Sequence, residues 1–453
     1  MYRDPVASLE APGLLPAATP ALRVGMIGIG TVGGGTFRVL ARNQRQIAAR
    51  AGRGIEIVAV AARDLPRAAA IVGPAVPVSA DPFEIATHPA VDVVVEAAGG
   101  TGPARDWVLA AIAHGKHVVT ANKALLAVHG EEIFAAARAR GVAVAYEGAV
   151  AVSIPIVKAL REGLVANRVE WLAGIINGTS NFILSKMRDE GLGFGEALGQ
   201  AQALGYAEAD PAFDVQGVDA AHKLTLLAAN AFGMPLRFAD VQVQGIDGLE
   251  AADVRGAEQL GFRIKLLGVA RRTPEGVELR VQPALLPATH LLAQVNGSMN
   301  GVMVKGDAAG VTMYYGAGAG AEQTASAVIA DLVDVARQAG VPPAQQVPHL
   351  GVHPHATEAL PVLPRAAGRG LRWLRVPLVA GQDLAVLEGA LAAQGVPLRR
   401  AAWADGAPAE APEALCLTES LVQATLDEAL RALAVHPAVR GTVKALPVET
   451  LDA

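Results

Sequence analysis

The chain is poor in cysteine, in aromatic residues and in charge. Cys416 is the single cysteine among 453 residues, which excludes an internal disulfide and any metal site built on cysteine thiolates. Charged residues make up 18%, with a net charge of −5 and no basic block, so no nucleic-acid surface is expected. Apolar residues reach 52%, yet no run is long enough to span a bilayer, and no membrane segment is expected. No secretory signal is read at the N-terminus: Arg3, Asp4 and Glu10 fall within residues 1–22, and prolines interrupt "APGLLPAATPAL". The expectation is a cytoplasmic protein with an N-terminal extension over 1–22, two to four domains and a large core.

What is present is alanine, glycine and an alternation of strand and helix patterns. Leu22–Ile29 is a short apolar run, and four more begin at Ile55, Val91, Lys116 and Val142. Helical stretches fall at Phe37–Ala49, Pro103–His114 and Gly130–Arg140. Continuous apolar strands separated by helices indicate an α/β unit, a parallel sheet covered on both faces, over 23–150. Residues 151–320 read differently. "RVEWLAGIINGTSNFIL" is a strand, turn and helix, and "VELRVQPALLP" and "NGVMVKGDAAGVTMYYGAGAG" are antiparallel strands of an α+β domain. A helix over 321–340 closes that unit, and the Pro-, Gly- and His-rich stretch 341–370 reads as a linker. From Leu371 to 453 the order strand–helix–strand–strand–helix–strand is that of a ferredoxin-like βαββαβ module.

Gly28, Gly30 and Gly33 spell G-x-G-x-x-G between the first strand and a helix. The first glycine permits the turn, and the second lets the backbone approach a pyrophosphate at the helix N-terminus. With 49 glycines in the chain the motif means little alone, but in this context it indicates a dinucleotide. The second strand ends "AVAARDL". Arg63 suits the 2′-phosphate of NADP, while the neighbouring Asp64 could restore NAD; a solvated Arg–Asp pair would explain both residues as well. Lys123 in "TANKALL" stands at the carboxyl end of a strand, where ligands bind, and a helix start is a poor place for a cation otherwise.

"GYAEADPAFDVQGVDAAHK" is the most informative stretch. Asp219 and Lys223 share a helix face, and as a surface pair they would contribute only a few tenths of a kcal/mol. Glu208, Asp214 and Asp219 accumulate beside the apolar "KLTLLAAN", and buried carboxylates need a cation. A cleft accepting a small substrate with an ammonium group fits, with the lysine moving a proton on its oxygen.

"GIGTVGGGT", "VVTANKALLAVHG", "GIINGTSNFIL", "ALGYAEADPAFDVQGVDAAHK" and "GAGAGAEQTASAVIADL" together resemble homoserine dehydrogenase, in order over about residues 23–340. The resemblance implies a Rossmann-type domain, a substrate and dimerisation domain, and an ACT-type regulatory module in the tail. It implies reversible NAD(P)H-dependent reduction of L-aspartate 4-semialdehyde to L-homoserine. Lys223 is then the acid/base on the substrate oxygen, with Lys123 as second active-site lysine near both nicotinamide and substrate, and Asp214 supporting Lys223. Glu208 and Asp219 would bind the substrate amino group. Ile29, Gly30, Thr31 and Val32 would contact cofactor phosphates, and Thr101, Gly205 and Gly320 would lie near the cofactor. A sodium-like cation site would fall on Glu147, Val150, Val152 and Ile154, mostly through backbone oxygens. A homodimer or higher homo-oligomer is implied as well.

Three places depart from the family pattern. Val152 and Ser153 stand where glycines are usual, Gln323 where a proline is common, and Asp383 lacks the Pro–Gly that helps ACT modules bind an effector. Threonine feedback is therefore expected to be lost, leaving a dimerisation module. The alternative is a non-catalytic NAD(P)-binding amino-acid sensor. A semialdehyde dehydrogenase would need a nucleophilic cysteine, and Cys416 lies in the tail.

Overall fold

A computed structural model describes residues 19–338 and 340–451. The expected N-terminal extension lies outside the described residues up to residue 18, and the first strand begins at Leu22.

Six parallel strands form the first sheet: β1 (Leu22–Ile27), β2 (Ile55–Ala61), β3 (Val78–Ser79), β4 (Val93–Glu96), β5 (His117–Thr120) and β6 (Val144–Ala145). Their spatial order is β3-β2-β1-β4-β5-β6, the doubly wound order that places a ligand crevice where β1 and β4 diverge. Val93, Val94 and Val95 are fully buried, as expected of strands covered on both faces. The apolar runs indicated five of these strands; β3 has two residues and is too short to leave a pattern. Helix Thr31–Arg42 begins six residues before the expected Phe37. Its "GGG" lowers helix propensity, but packing overrides that: a side chain at Gly35 would collide with the Ala321 carbonyl at 2.5 Å, so the glycine lets helix Ala321–Gln338 lie directly across it.

The remaining strands are β7 (Val169–Ile175), β8 (Gln242–Val243), β9 (Phe262–Thr273), β10 (Gly276–Pro287), β11 (Met299–Gly306), β12 (Gly310–Ala317), β13 (Arg369–Pro377), β14 (Leu398–Trp403), β15 (Glu413–Thr418), β16 (Leu421–Val422) and β17 (Lys444–Val448). They make one mixed sheet in the order β12-β11-β7-β9-β10-β17-β13-β15-β14, with β8 on β10 and β16 on β13. The tail has the expected βαββαβ order, and its strands lie fourth–first–third–second. It does not hang free from a linker. β17 joins β10 in parallel at Leu285 and Val448, so the sheet runs on from the middle of the chain into the tail.

Residues 341–370 correct the linker reading. They carry three short turns of 3₁₀ helix and are laid against the body. The Val277 amide donates to the Pro361 carbonyl and the Leu363 amide to the Val277 carbonyl, both at 2.9 Å. The buried Tyr146 hydroxyl donates to the His349 carbonyl at 2.6 Å, and the His349 ring stacks on Phe134 at 5.2 Å. Prolines deny this stretch a continuous ladder, so it reads as punctuation although Leu350, Leu360 and Val362 pack, partly buried, against the core.

Helix Val218–Phe232 runs through the centre. Its residues are buried on nearly every side, the mark of a core helix, and it packs against helix Lys123–Arg140 and against β9 and β10.

Burial, with Arg138 and Arg161 nearby, lowers the His349 pKa from 6.5 to about 4. The unfolded chain therefore takes up a proton that the native ring refuses, and stability from this group falls as pH drops from 6.5 towards 4. The difference corresponds to about 3 kcal/mol. Thermal melts of wild type and His349→Gln across that window should show a variant less stable at pH 7 and distinctly flatter with acid; parallel curves would contradict the assignment.

Candidate active site

The site is built where three chain turns meet. The first is the glycine loop. β1 ends at Ile27, and Gly28 takes φ +95° with its Cα against the Ala97 backbone, where a side chain would sit 2.8 Å away. Gly30 is the N-cap of helix Thr31–Arg42, with no side-chain cap and open space where its Cβ would be. Uncapped amides facing open space suit a pyrophosphate, so this loop fits a dinucleotide. Gly28, Ile29 and Gly33 shape the loop, while Thr31 and Val32 line the cleft itself. Asp64 accepts from the Arg67 amide at 3.1 Å as the cap of helix Leu65–Val72, and Arg63 beside it is exposed.

The second turn follows β5. Glu96, fully buried at the end of β4, accepts from the Ala98 and Gly99 amides and from the Thr120 hydroxyl at 2.7–2.9 Å. Asn122 caps helix Lys123–Arg140 and donates to the Gly100 carbonyl at 2.7 Å. These bonds hold the loop before Thr101 against the start of the helix that carries Lys123. Thr101 is half-buried in that loop.

The third turn follows β7 and joins helix Val218–Phe232. Lys223 Nζ lies 2.6 Å from Asp219 Oδ2 and donates to the Ile176 carbonyl at 2.8 Å. Lys123 Nζ approaches the other oxygen, Asp219 Oδ1, at 3.3 Å. Asn177 Nδ2 donates to Asp219 at 2.8 Å and to Asp214 at 2.7 Å. Burial alone would raise the Asp219 pKa, but Lys223 and Lys123 overcome it and bring it to about 2. Asp214 lacks such a pairing, and burial pushes its pKa up.

These groups line one cleft of about 450 Å³ together with Glu208, Gly205 and Gly320. Glu208 is exposed at its mouth, on the same cleft as Lys223. Gln323 folds against Gly320, and the Thr324 hydroxyl donates to the Gly320 carbonyl at 2.8 Å. Arg63, Thr101, Glu147, Val150 and Ile154 are not on its wall, whereas Val152 is.

The expected cation turn is narrower in donors than anticipated. The Glu147 carboxylate accepts from the Val157 and Lys158 amides at 2.9 and 2.8 Å, and burial raises its pKa. The Glu147 and Ile154 carbonyls already accept from the Val150 and Ile156 amides. Among the described residues none donates to the Val150 or Val152 carbonyls, and these two are the oxygens a monovalent cation would find. Ala151 between them takes φ +50°, the strained stand-in for a glycine in this turn. Among the described residues no cluster of three or more His, Cys, Asp or Glu could hold a metal.

Sequence reasoning missed Asn177, Glu96, Asn122 and Phe213. Asn177 was visible as a cap in "INGTS", with its side-chain oxygen accepting from the Ser180 amide at 2.8 Å. Phe213 stands 5.7 Å from Lys123 Nζ in cation–π geometry, a relation no spacing rule shows.

A doubly wound sheet with an open glycine loop, facing a lysine–carboxylate cleft, defines an NAD(P)-binding oxidoreductase. Comparison with known proteins gives the family. The model "Homoserine dehydrogenase, NAD binding domain" matches residues 28–147, and "Homoserine dehydrogenase" matches 155–333. A homoserine dehydrogenase of Pseudomonas aeruginosa is 53% identical over 95% of this chain and 99% of its own, and one of Neisseria gonorrhoeae 46% over the same shares. The crystal structure of the Thiobacillus denitrificans homoserine dehydrogenase superposes with a TM-score of 0.91 at 51% identity, covering 96% of this chain and 99% of that one. The chain belongs to the homoserine dehydrogenase family. No helix among the described residues is long and apolar enough to cross a membrane.

Asn177 caps one helix and bonds the buried Asp219 and the half-buried Asp214, so Asn177→Ala should lower stability by about 2 kcal/mol and reduce turnover as well. Chemical denaturation and initial rates measure both; wild-type values for the two would remove Asn177 from the site.

Proposed function

We propose that the cleft performs reversible hydride transfer between a nicotinamide and the terminal carbon shared by L-homoserine and L-aspartate 4-semialdehyde. The observation that carries this reading is the sharing of Asp219 by Lys123 and Lys223 on the wall that Glu208 also lines. The nicotinamide, when bound, supplies the hydride chemistry. In reduction the Lys223 ammonium gives a proton to the carbonyl oxygen; in oxidation the lysine, its proton first lost to solvent, takes the hydroxyl proton of homoserine. Lys123 adds a second positive charge beside that oxygen, and Asp219 holds both ammonium groups in place. Glu208, exposed at the mouth, meets the substrate ammonium; Asp214 faces the same cleft and supports Lys223 through Asn177 and Asp219.

Thr31 and Val32, with Gly28, Ile29, Gly30 and Gly33 behind them, hold the phosphates of the cofactor. Asp64 is occupied as a helix cap, which leaves the exposed Arg63 as the contact for a 2′-phosphate and favours NADP. Gly205, Gly320 and Thr101 border the same cofactor. A monovalent cation would rest on the Val150 and Val152 carbonyls. The tail is read as an ACT-type module because of its fourth–first–third–second strand order. Asp383 there caps helix Leu384–Ala393, accepting from the Ala385 amide at 3.2 Å, and supplies no Pro–Gly turn for an effector. A homodimer through the middle sheet completes the reading.

Lys223→Ala should lower kcat by roughly 10²–10⁴-fold while the variant still binds NADP; near-normal turnover would refute the role. Glu208→Ala should mainly raise the homoserine KM, and a collapsed kcat at unchanged KM would contradict its placement. Initial rates with NADH and NADPH, with and without threonine, measure the cofactor and effector readings in the same assay.

A further inference from the structure

A second cavity, of about 370 Å³ and sharing no lining residue with the cleft, lies between β9 and β10 of the middle region and β13 and β17 of the tail. Five arginines line it: Arg271, Arg280, Arg365, Arg369 and Arg372. They face two carboxylates, Glu278 and Glu449, so the wall carries an excess of positive charge.

The two carboxylates are spoken for. Glu449, 4% exposed, pairs with Arg280 and, at 3.4 Å, with Arg271. Glu278 receives Arg280 at 3.5 Å. Arg372 is left without a carboxylate within ion-pair distance among the described residues, although it is only 8% exposed. Its Nε donates to Gln423 Oε1 at 3.1 Å, and one terminal nitrogen to the Leu371 carbonyl at 2.9 Å. Both acceptors are neutral. Gln423 is itself held, its amide nitrogen donating to Asp427 at 2.7 Å. Burial and the nearby Arg280 lower the Arg372 pKa, which Glu449 and Glu278 only partly oppose. At the rim, Arg365 reaches Asp427 only at 3.5 Å with 60% of its side chain exposed, and Arg369 is exposed. Helix Gln423–Ala434 starts at the same wall without a side-chain cap.

A buried guanidinium whose charge meets only neutral acceptors is costly unless a ligand completes it, and its planar fork matches carboxylate and phosphate oxygens. We propose that this cavity binds a small anionic ligand carrying two or more carboxylate or phosphate charges, with Arg372 at its floor and Arg369 and Arg365 at its rim. The ligand bridges the middle sheet and the tail. The site is separate from the turn at Asp383, which follows the opposite end of β13. It is also independent of the dehydrogenase reading.

Calorimetric titration of the full chain tests this, run without NADP and again with NADP filling the glycine loop. Inorganic phosphate and citrate are the two probes, each against sodium chloride at equal ionic strength. Saturable binding of one or both is expected, weakened about 10-fold or more by Arg372→Gln and also weakened by Arg369→Gln. Phosphate alone would identify a phosphorylated ligand, and citrate alone a polycarboxylate. Absence of saturable binding for both probes would overturn the proposal, as would wild-type affinity in the variants. If Arg372→Gln does not fold, the exposed Arg369→Gln decides: unchanged affinity overturns the site.

Discussion

One carboxylate organises the centre of this molecule. Asp219 is 3% exposed, and an ionised group that deep is tolerated only with close partners. It has three: Lys223 on its own helix, Lys123 on the helix after β5, and Asn177 at the end of β7. The partners come from three distant parts of the chain, so the charge pins the parallel-sheet unit to the mixed sheet across the cleft. Removing either lysine would leave a buried charge less compensated, which is more damaging than never having buried it.

The surrounding structure follows from holding those partners still. Helix Val218–Phe232 is buried around nearly all of its circumference, so the charged groups of its first turns, Asp219 and Lys223, are held by partners inside the protein. Asn177 fixes the end of β7 by capping the next helix, and that places the Ile176 carbonyl where Lys223 meets it. Glu96, Thr120 and Asn122 do the same for Lys123 from below. The site is rigid on its lysine side and open on the side of Glu208, an arrangement suited to fixed proton chemistry and an exchangeable small substrate.

Much of this was legible in the residues. The parallel sheet announced itself through continuous apolar runs, and the glycine loop through its place between strand and helix. The acidic stretch was conspicuous because charge is scarce elsewhere. What escaped reading depends on distance or on weak local signals. β3 is two residues long. The helix at Thr31 is carried by contact with a helix 290 residues away, against the propensity of its own glycines. The junction of β10 with β17 leaves no trace in either strand. The stretch 341–370 looked like a spacer because proline suppresses regular pattern, not because it lacks contacts. In the cation turn the sequence named the right neighbourhood, but only the fold shows that the Glu147 carboxylate is used as a cap.

The central claim is that Asp219 remains charged because two lysines share it. Carboxyl-carbon NMR of the folded protein, with aspartate side chains labelled and Asp219→Asn used for assignment, tests it directly. The account predicts a resonance that stays in its ionised position on acidification to pH 3, in keeping with a pKa of about 2. A midpoint at or above the ordinary aspartate value would contradict it.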